Sequence, residues 1–476
     1  MNVWCRCSFG LVAVMIVLLV NVADAAEAKV AVSRPNILFI LADDLGWGDL
    51  GCYGHPQIKT PHLDRLARQG TLFTQFYVNG SVCSPSRTAF MTGQFPARHQ
   101  IHGHLARHDR NKSRGMPNWL DPKAPLITRL LQQAGYATAH FGKWHLGSGQ
   151  GAPDPGIYGI DVHRTVNTNG PGFEQQRDPY FRAKSTGLFV DEAIRFIESH
   201  RDKPFFINLW TLVPHATLHP TDQQMKPYRR FGPGGVPYKG ATQIYYATVT
   251  ALDAELGRLF AKLDELNLSQ NTIVLFTSDN GPEDIHIRNA SHSGVGSPGP
   301  FRGRKRSLYE GGVRMPLIVR WPGKVPAGRI NEQSVLTAVD FLPTLCQLAG
   351  ADLPNDYQGD GEDVSDILLE SSRARRRPIM WEWRFRVHGY PYHHSPILAI
   401  RDGEWKLLMN PDRSRVELYN LSKDRMELSN LANRHSDVVK RLSARVLAWQ
   451  KTLPKGPVER TAGHVNYGWP KSLPSK

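Results

Sequence analysis

Cysteine is scarce in this chain. It has five in 476 residues, and Cys5 and Cys7 fall in an N-terminal segment that reads as a leader. Cys52, Cys83 and Cys346 remain. An odd count gives no disulfide framework and leaves at least one thiol for another task. Long apolar runs are scarce as well. Leu11–Val20 is wholly apolar but too short to span a membrane. Arg6 precedes it and Ala23-Asp24-Ala25 follows, so residues 1–25 are expected to be a cleaved signal peptide. The mature protein is then periplasmic or secreted. No cysteine follows closely enough for a lipid anchor, and no stable membrane anchor is expected. Internal repeats are absent.

Acidic residues are also short: 43 Asp and Glu stand against 58 Lys and Arg, a formal charge of +15. Loss of the leader removes one Arg and one Asp and keeps that balance. Such a surface attracts anions, whether nucleic acid, anionic membrane or an acidic polymer. The basic residues are scattered, no nucleic-acid-binding module is recognisable, and export removes the chain from the cytoplasm, so no nucleic-acid partner is expected. Hydrophobic residues make up 41% and charged residues 21%, an ordinary globular balance. The length allows a large core and more than one domain.

What is present centres on Cys83-Ser84-Pro85-Ser86-Arg87. Ser84 is a good helix N-cap and Pro85 a natural first helical residue. Cys83 is then expected just before a helix N-terminus, where free N–H groups favour an anion. Arg87, one turn on, adds a permanent positive charge. The arrangement suits a tetrahedral oxyanion held against a nucleophile. A structural or thiol-reactive cysteine before an ordinary capped helix is the plainer alternative.

Several apolar runs end in polar residues. Pro35–Ala42 leads to Asp43-Asp44, Tyr136–Phe141 to Gly142-Lys143-Trp144-His145, Phe205–Leu212 to Val213-Pro214-His215, and Thr272–Thr277 to Ser278-Asp279-Asn280-Gly281. Runs buried on both faces belong to parallel sheets, whose ligands bind beyond the carboxyl ends of the strands. Adjacent acids there suit a hard divalent cation. Further strands are expected at Leu72–Tyr77 and Met315–Trp321, with helices at Pro61–Gly70, Ala124–Ala134, Thr186–His200, Thr242–Leu266 and Asp340–Leu348. Residues 98–114, 148–180 and 282–304 read as loops. Arg373–Arg377 marks a boundary between a catalytic domain, 26–375, and a smaller one, 376–476. Beyond it, Ile379–Arg386, Ile397–Arg401 and Trp405–Asn410 alternate like antiparallel strands, with Asp402-Gly403 as a turn. Val416–Leu421 suits a further strand and Asp437–Lys451 a closing helix; the tail after Leu453 is expected to be loosely ordered. The fold class is α/β: a large, mostly parallel central sheet flanked by helices, plus a small C-terminal antiparallel sheet.

From Pro35 to Cys346 the chain resembles the type I sulfatases of the alkaline-phosphatase superfamily. The matching pieces are ILADDLGWGDLGCYG, CSPSRTAFMTG, GKWHLG, PHATLHP, TSDNG and RKRSLYEGGVRMPLIVRWPG. Within that family it looks most like the arylsulfatase A and N-acetylgalactosamine-6-sulfatase group. The resemblance implies one calcium held by Asp43, Asp44, Asp279 and Asn280. Cys83 would complete the site after a maturation enzyme oxidises it to 3-oxoalanine (formylglycine). Arg87 and Lys143 would hold the aldehyde hydrate, and His145 would orient or deprotonate it. His215 and Lys305 would bind the sulfate, with His215 protonating the leaving oxygen. Arg306 stands where family members often carry Gly, which leaves either Lys305 or a neighbouring Arg for that role.

The implied substrate is a sulfated, glycosaminoglycan-like carbohydrate. His104 and Arg107 in the 98–114 stretch, and His393 in Arg384–His394, are candidate substrate contacts; the alternative is that both stretches are solvated. A phosphonate monoester or phosphodiester hydrolase would use the same Cys and calcium, but the GKWHLG piece and the export signal favour sulfate. A catalytically silent glycan binder would need no modifiable cysteine.

Overall fold

β1 (Asn36–Asp43) is buried at every residue, as an apolar run with a strand on each side requires. This computed structural model describes Met1 and residues 34–465, except 234–238, 288–289 and 291. The expected signal peptide and residues 466–476 lie outside the described residues. β5 (Phe205–Pro214) and β6 (Thr272–Ser278) flank β1 in parallel, with Ile37 opposite both Phe206 and Ile273. β3 (Ala137–Lys143) and β4 (Val162–Val166) continue the parallel array beyond β5. On the other side β7 (Arg314–Arg320) runs antiparallel to both β6 and β2 (Thr71–Tyr77). The short β8 (Arg329–Asn331) and β9 (Leu336–Thr337) run parallel to β2. The order is β4-β3-β5-β1-β6-β7-β2-β8, with β9 also beside β2.

Alternation along β1 feeds two cores. Ile37, Phe39 and Leu41 join one apolar cluster, and Leu38, Ile40 and Ala42 the other. The second is covered by α1 (Pro61–Arg68) and by helices Phe181–Ser199 and Lys239–Glu265. The first is covered by α2 (Cys83–Thr92) and helix Phe341–Ala349. Phe90 of α2 sits 5.0 Å from Phe39, ring centre to ring centre, and 4.9 Å from Phe341. This aromatic contact seats α2 on the central strand. Truncating Phe39 to Ala would cost about 3–5 kcal/mol.

A separate antiparallel sheet comprises β10 (Ile379–Glu382), β11 (Leu398–Asp402), β12 (Trp405–Met409) and β13 (Glu417–Asn420), in that order. The helix Ser436–Lys451 closes it. Trp381 and Leu398 share the apolar cluster of Phe39, and the Trp381 indole N–H donates to Val78 O at 2.7 Å. Lys406 Nζ lies 2.9 Å from Glu310 and 2.9 Å from Glu427, all fully buried. The α/β class with two sheets agrees with the sequence.

Some details differ. Asp402 pairs with Trp405, so the β11–β12 turn is Gly403-Glu404 and not Asp402-Gly403. β10 stops at Glu382, four residues before the expected end at Arg386. The stretch 148–180 contains β4, whose burial is partial because it lies at the sheet edge; VHRTV therefore carries no apolar signal. Residues 98–114 contain the helix His108–Ser113, although a loop is expected there. Buried Asn111 fixes this turn by accepting Ala106 N–H at 2.8 Å and donating to Ala106 O at 2.9 Å. Residues 454–465 form no helix or strand.

Candidate active site

The ends of β1 and β6 create the centre. Ala42 and Ser278 are register partners, so the residues that follow them meet. Asp279 N–H donates to Ala42 O at 3.2 Å, and Asp44 N–H donates to Asp279 Oδ1 at 3.2 Å. Asp44 takes a left-handed backbone, φ 67°, which Asp tolerates better than most residues. Carboxylate oxygens of Asp43, Asp44 and Asp279 lie within 4.8 Å of one another. Asn280 donates to Asp44 Oδ1 at 2.7 Å, which leaves Asn280 Oδ1 buried with no partner among the described residues.

Buried cations answer the carboxylates. Lys143, at the end of β3, places Nζ 2.7 Å from Asp43 Oδ2. Arg87, one turn into α2, donates through Nη2 to Asp279 Oδ2 at 2.8 Å and through Nη1 to Lys143 O at 2.7 Å. Its guanidinium lies over Trp210 at 5.0 Å. Lys305 Nζ is 2.6 Å from Asp44 Oδ2. Burial would raise the Asp43 carboxyl, but Lys143, His215 and Arg87 outweigh it and hold it well below the usual range. Asp279 goes the other way: burial and the Asp43 charge push it well above that range, despite Arg87.

Cys83 is the first residue of α2, and every residue of that helix is buried. Ser84 does not cap it. Val82 is the N-cap and no side chain performs the task. The Ser84 hydroxyl instead donates to His145 O at 2.8 Å and accepts Leu105 N–H at 3.0 Å. It ties two loops to the helix. Cys83 Sγ lies 3.2 Å from His145 Nδ1, and His145 Nε2 is 2.9 Å from Leu105 O. A carbonyl accepts only, so Nε2 carries the proton and Nδ1 presents its lone pair to Cys83. Burial, with Lys143 and Arg87, holds His145 well below its usual range and so neutral. His215 Nδ1 contacts Ala216 O at 2.6 Å, and its Nε2 faces Asp44 at 3.8 Å. Burial, with Lys305, pushes His215 down to about 4.

Glu283 joins the site without any local sequence signal marking it. It accepts from Arg306 Nη2 at 3.0 Å and lies 3.7 Å from Lys305 Nζ. Burial would raise its carboxyl, but Lys305 and Arg306 hold it at about 2. Arg306 takes φ 74°, a region where Gly carries no penalty. That backbone turns Arg306 to Glu283 and leaves Lys305 to reach Asp44. An acid four residues after Asp279 is no motif, and the surrounding Gly, Ser and Pro residues read as loop.

A family model described as Sulfatase matches residues 35–351. The chain belongs to the sulfatase family. A second model, described as N-sulphoglucosamine sulphohydrolase, C-terminal, matches residues 301–452. N-acetylgalactosamine-6-sulfatase of Canis lupus familiaris is 33% identical over 419 residues, covering 82% of this chain and 74% of that protein. Arylsulfatase A of Homo sapiens is 33% identical over 428 residues, covering 80% and 76%. The crystal structure of Ps i-CgsB in complex with k-i-k-neocarrahexaose superposes with a TM-score of 0.73 at 27% identity, covering 90% of this chain and 96% of that one. This sulfatase is a sulfuric ester hydrolase.

The centre of this sulfatase fits a divalent metal. Its donors are all oxygen, its acids converge, and Asn280 Oδ1 is a buried acceptor with a free lone pair. The expected substrate contacts lie in different places. The His104 ring is 6.5 Å from that of His145, and burial pushes it down to about 2, hence neutral. Arg107, 87% exposed, pairs with Asp109 at 3.2 Å. It lines a cavity of about 600 Å³ together with His145, Gln150 and Asn167. His393 Nδ1 accepts the N–H of Gly303, two residues before Lys305, at 3.1 Å. No described helix is long and apolar enough to cross a membrane.

Proposed function

We propose that this sulfatase hydrolyses a sulfate ester on a carbohydrate, using Cys83 matured to 3-oxoalanine and a calcium ion. The observation that carries this reading is Cys83 Sγ at 3.2 Å from His145 Nδ1, at the head of a buried helix whose Arg87 reaches Asp279. The resemblance to an N-acetylgalactosamine-6-sulfatase supports the substrate class.

Matured Cys83 would supply an aldehyde hydrate, one hydroxyl for attack on sulfur and a second whose deprotonation would expel sulfate and restore the aldehyde, and Sγ stands where the hydrate's oxygens belong. Asp43, Asp44, Asp279 and Asn280 would hold the calcium, which would supply Lewis-acid polarisation of a sulfate oxygen. His145 Nδ1, neutral and facing that position, accepts the hydroxyl proton. Lys143 and Arg87 offset the charge that then develops. Lys305 and His215 bind the sulfate from the Asp44 side. His215, whose Nδ1 proton is held by Ala216 O, would take up a second proton at Nε2 once the sulfate's charge is in place, and pass it to the leaving oxygen. His104 and Arg107 contact the sugar at the pocket mouth. His393 steadies the Gly303 turn ahead of Lys305.

Residues 26–375 carry this machinery, and 376–476 form the smaller subdomain. Residues 1–25 direct export to the periplasm or beyond, and a separate maturation enzyme oxidises Cys83. A matched pair of substrates tests the reading. An aryl sulfate is expected to turn over far faster than an aryl phosphonate monoester. The reverse order would assign the site to phosphonate or phosphodiester hydrolysis.

A further inference from the structure

The sulfate chemistry leaves several cations near the nucleophile unused. Arg114 stands on the His104 side: its Nη1 donates to His104 O at 3.4 Å, and its guanidinium lies over Phe385 at 4.9 Å. His104 in turn faces His145, the neighbour of Cys83. Arg306 stands on another side, its N–H donating at 2.8 Å to Ser81 O, two residues before Cys83. Arg110 and Arg306 are both close enough to Arg114 to repel its charge. Arg306, Arg386 and Arg110 act on His388 in the same way. Segments far apart in sequence thus bring positive charge to one rim.

The acids facing this rim are already engaged or weakly placed. Glu283 is taken by Arg306 and Lys305. Glu459 Oε2 accepts the Arg386 N–H at 3.0 Å. Among the described residues, neither Arg110 nor Arg114 forms an ion pair. A solvated arginine would need none, but Arg114 is partly buried and held by the Phe385 ring and the His104 carbonyl. Burial and the Arg110 charge pull it down to about 10, more than the nearby Glu459 carboxylate offsets. A fixed, partly desolvated cation whose charge Glu459 only partly answers is costly unless a ligand supplies a further anion.

We infer that Arg114 and Arg110 form a second anion site, which binds a carboxylate or a second sulfate group on the sugar chain that bears the scissile ester. The inference rests on the sulfatase reading above and deepens it: the substrate is polyanionic, with a charged group beyond the one removed. Planar guanidinium groups suit either anion through paired hydrogen bonds.

The test compares three substrates with one scissile sulfate: a neutral sulfated disaccharide, the same with a carboxylate, and the same with a second sulfate. The wild-type enzyme is expected to favour a doubly charged substrate by about tenfold or more in kcat/KM, mainly through KM. Whichever anion is favoured identifies the natural group. Arg114→Gln with Arg110→Gln should bring that ratio close to one, and Arg114→Lys should keep part of it. Arg110→Gln alone, on an exposed position, guards against misfolding of the double variant and should lower the ratio in the same direction. Equal rates on all three substrates, or a ratio that survives both substitutions, would overturn the second site. Failure to hydrolyse any sulfate ester would overturn the sulfatase reading instead.

Discussion

Asn280 donates its side-chain N–H to Asp44 Oδ1 at 2.7 Å, while its own Oδ1 is buried without a partner among the described residues. A buried acceptor left unpaired is costly unless a ligand meets it. As a fourth oxygen donor beside Asp43, Asp44 and Asp279, Asn280 Oδ1 would complete the proposed cation site.

The metal is the first prediction. Prolonged chelation should abolish turnover, and added calcium should restore it. Calcium should also raise the melting temperature, since it binds only the folded site. Asp44→Ala should lose both effects. Asn280→Ala should keep activity at high calcium but need more of it. Undiminished activity in a metal-free preparation would exclude the site.

Arg306 sets strain against charge. Arg306→Gly relieves a left-handed backbone worth about 1–2 kcal/mol. It also takes one of two cations from buried Glu283, which keeps only Lys305 at 3.7 Å. The loss approaches that of a fully broken buried pair, about 3–5 kcal/mol. The second effect is larger, so the variant should melt lower and show a raised KM as Glu283 draws Lys305 away from Asp44. Adding Glu283→Gln should recover part of the stability. A more stable single variant would contradict this ordering.

Asp253 gives a pH signature outside the catalytic centre. Its carboxyl accepts Leu63 N–H at 2.7 Å and His62 N–H at 3.1 Å at the start of α1, and burial pushes it up to about 7. A carboxyl raised on folding holds its proton longer in the native state than in the unfolded one. Between about pH 4 and 7 the native state therefore binds more protons, and stability falls as pH rises. Asp253→Asn should flatten that fall, as measured by urea denaturation at several pH values. An unchanged slope would show that Asp253 does not titrate in this window.

The centre was legible because its parts sit at the ends of apolar strands. β1, β5 and β6 are buried on both faces, so their sequences are nearly continuous hydrophobic runs with a visible polar end. β4 lies at the sheet edge, and its mixed residues carry no such mark. Ser84 was misread because local preference favours a cap, whereas tertiary contact assigns its hydroxyl to His145 O and Leu105 N–H. Glu283 and Arg114 gain their meaning from partners distant in sequence. No local pattern announces an acid shared by Lys305 and Arg306, or an arginine lying over Phe385.

The most direct measurement is the mass of the peptide containing Cys83, taken from enzyme of known specific activity made with and without a cysteine-oxidising maturation enzyme. Activity is expected to follow the fraction of peptide carrying an aldehyde in place of the thiol, and Cys83→Ala to be inactive whatever the host. Full turnover of a sulfate ester by protein whose Cys83 remains an intact thiol would contradict this expectation.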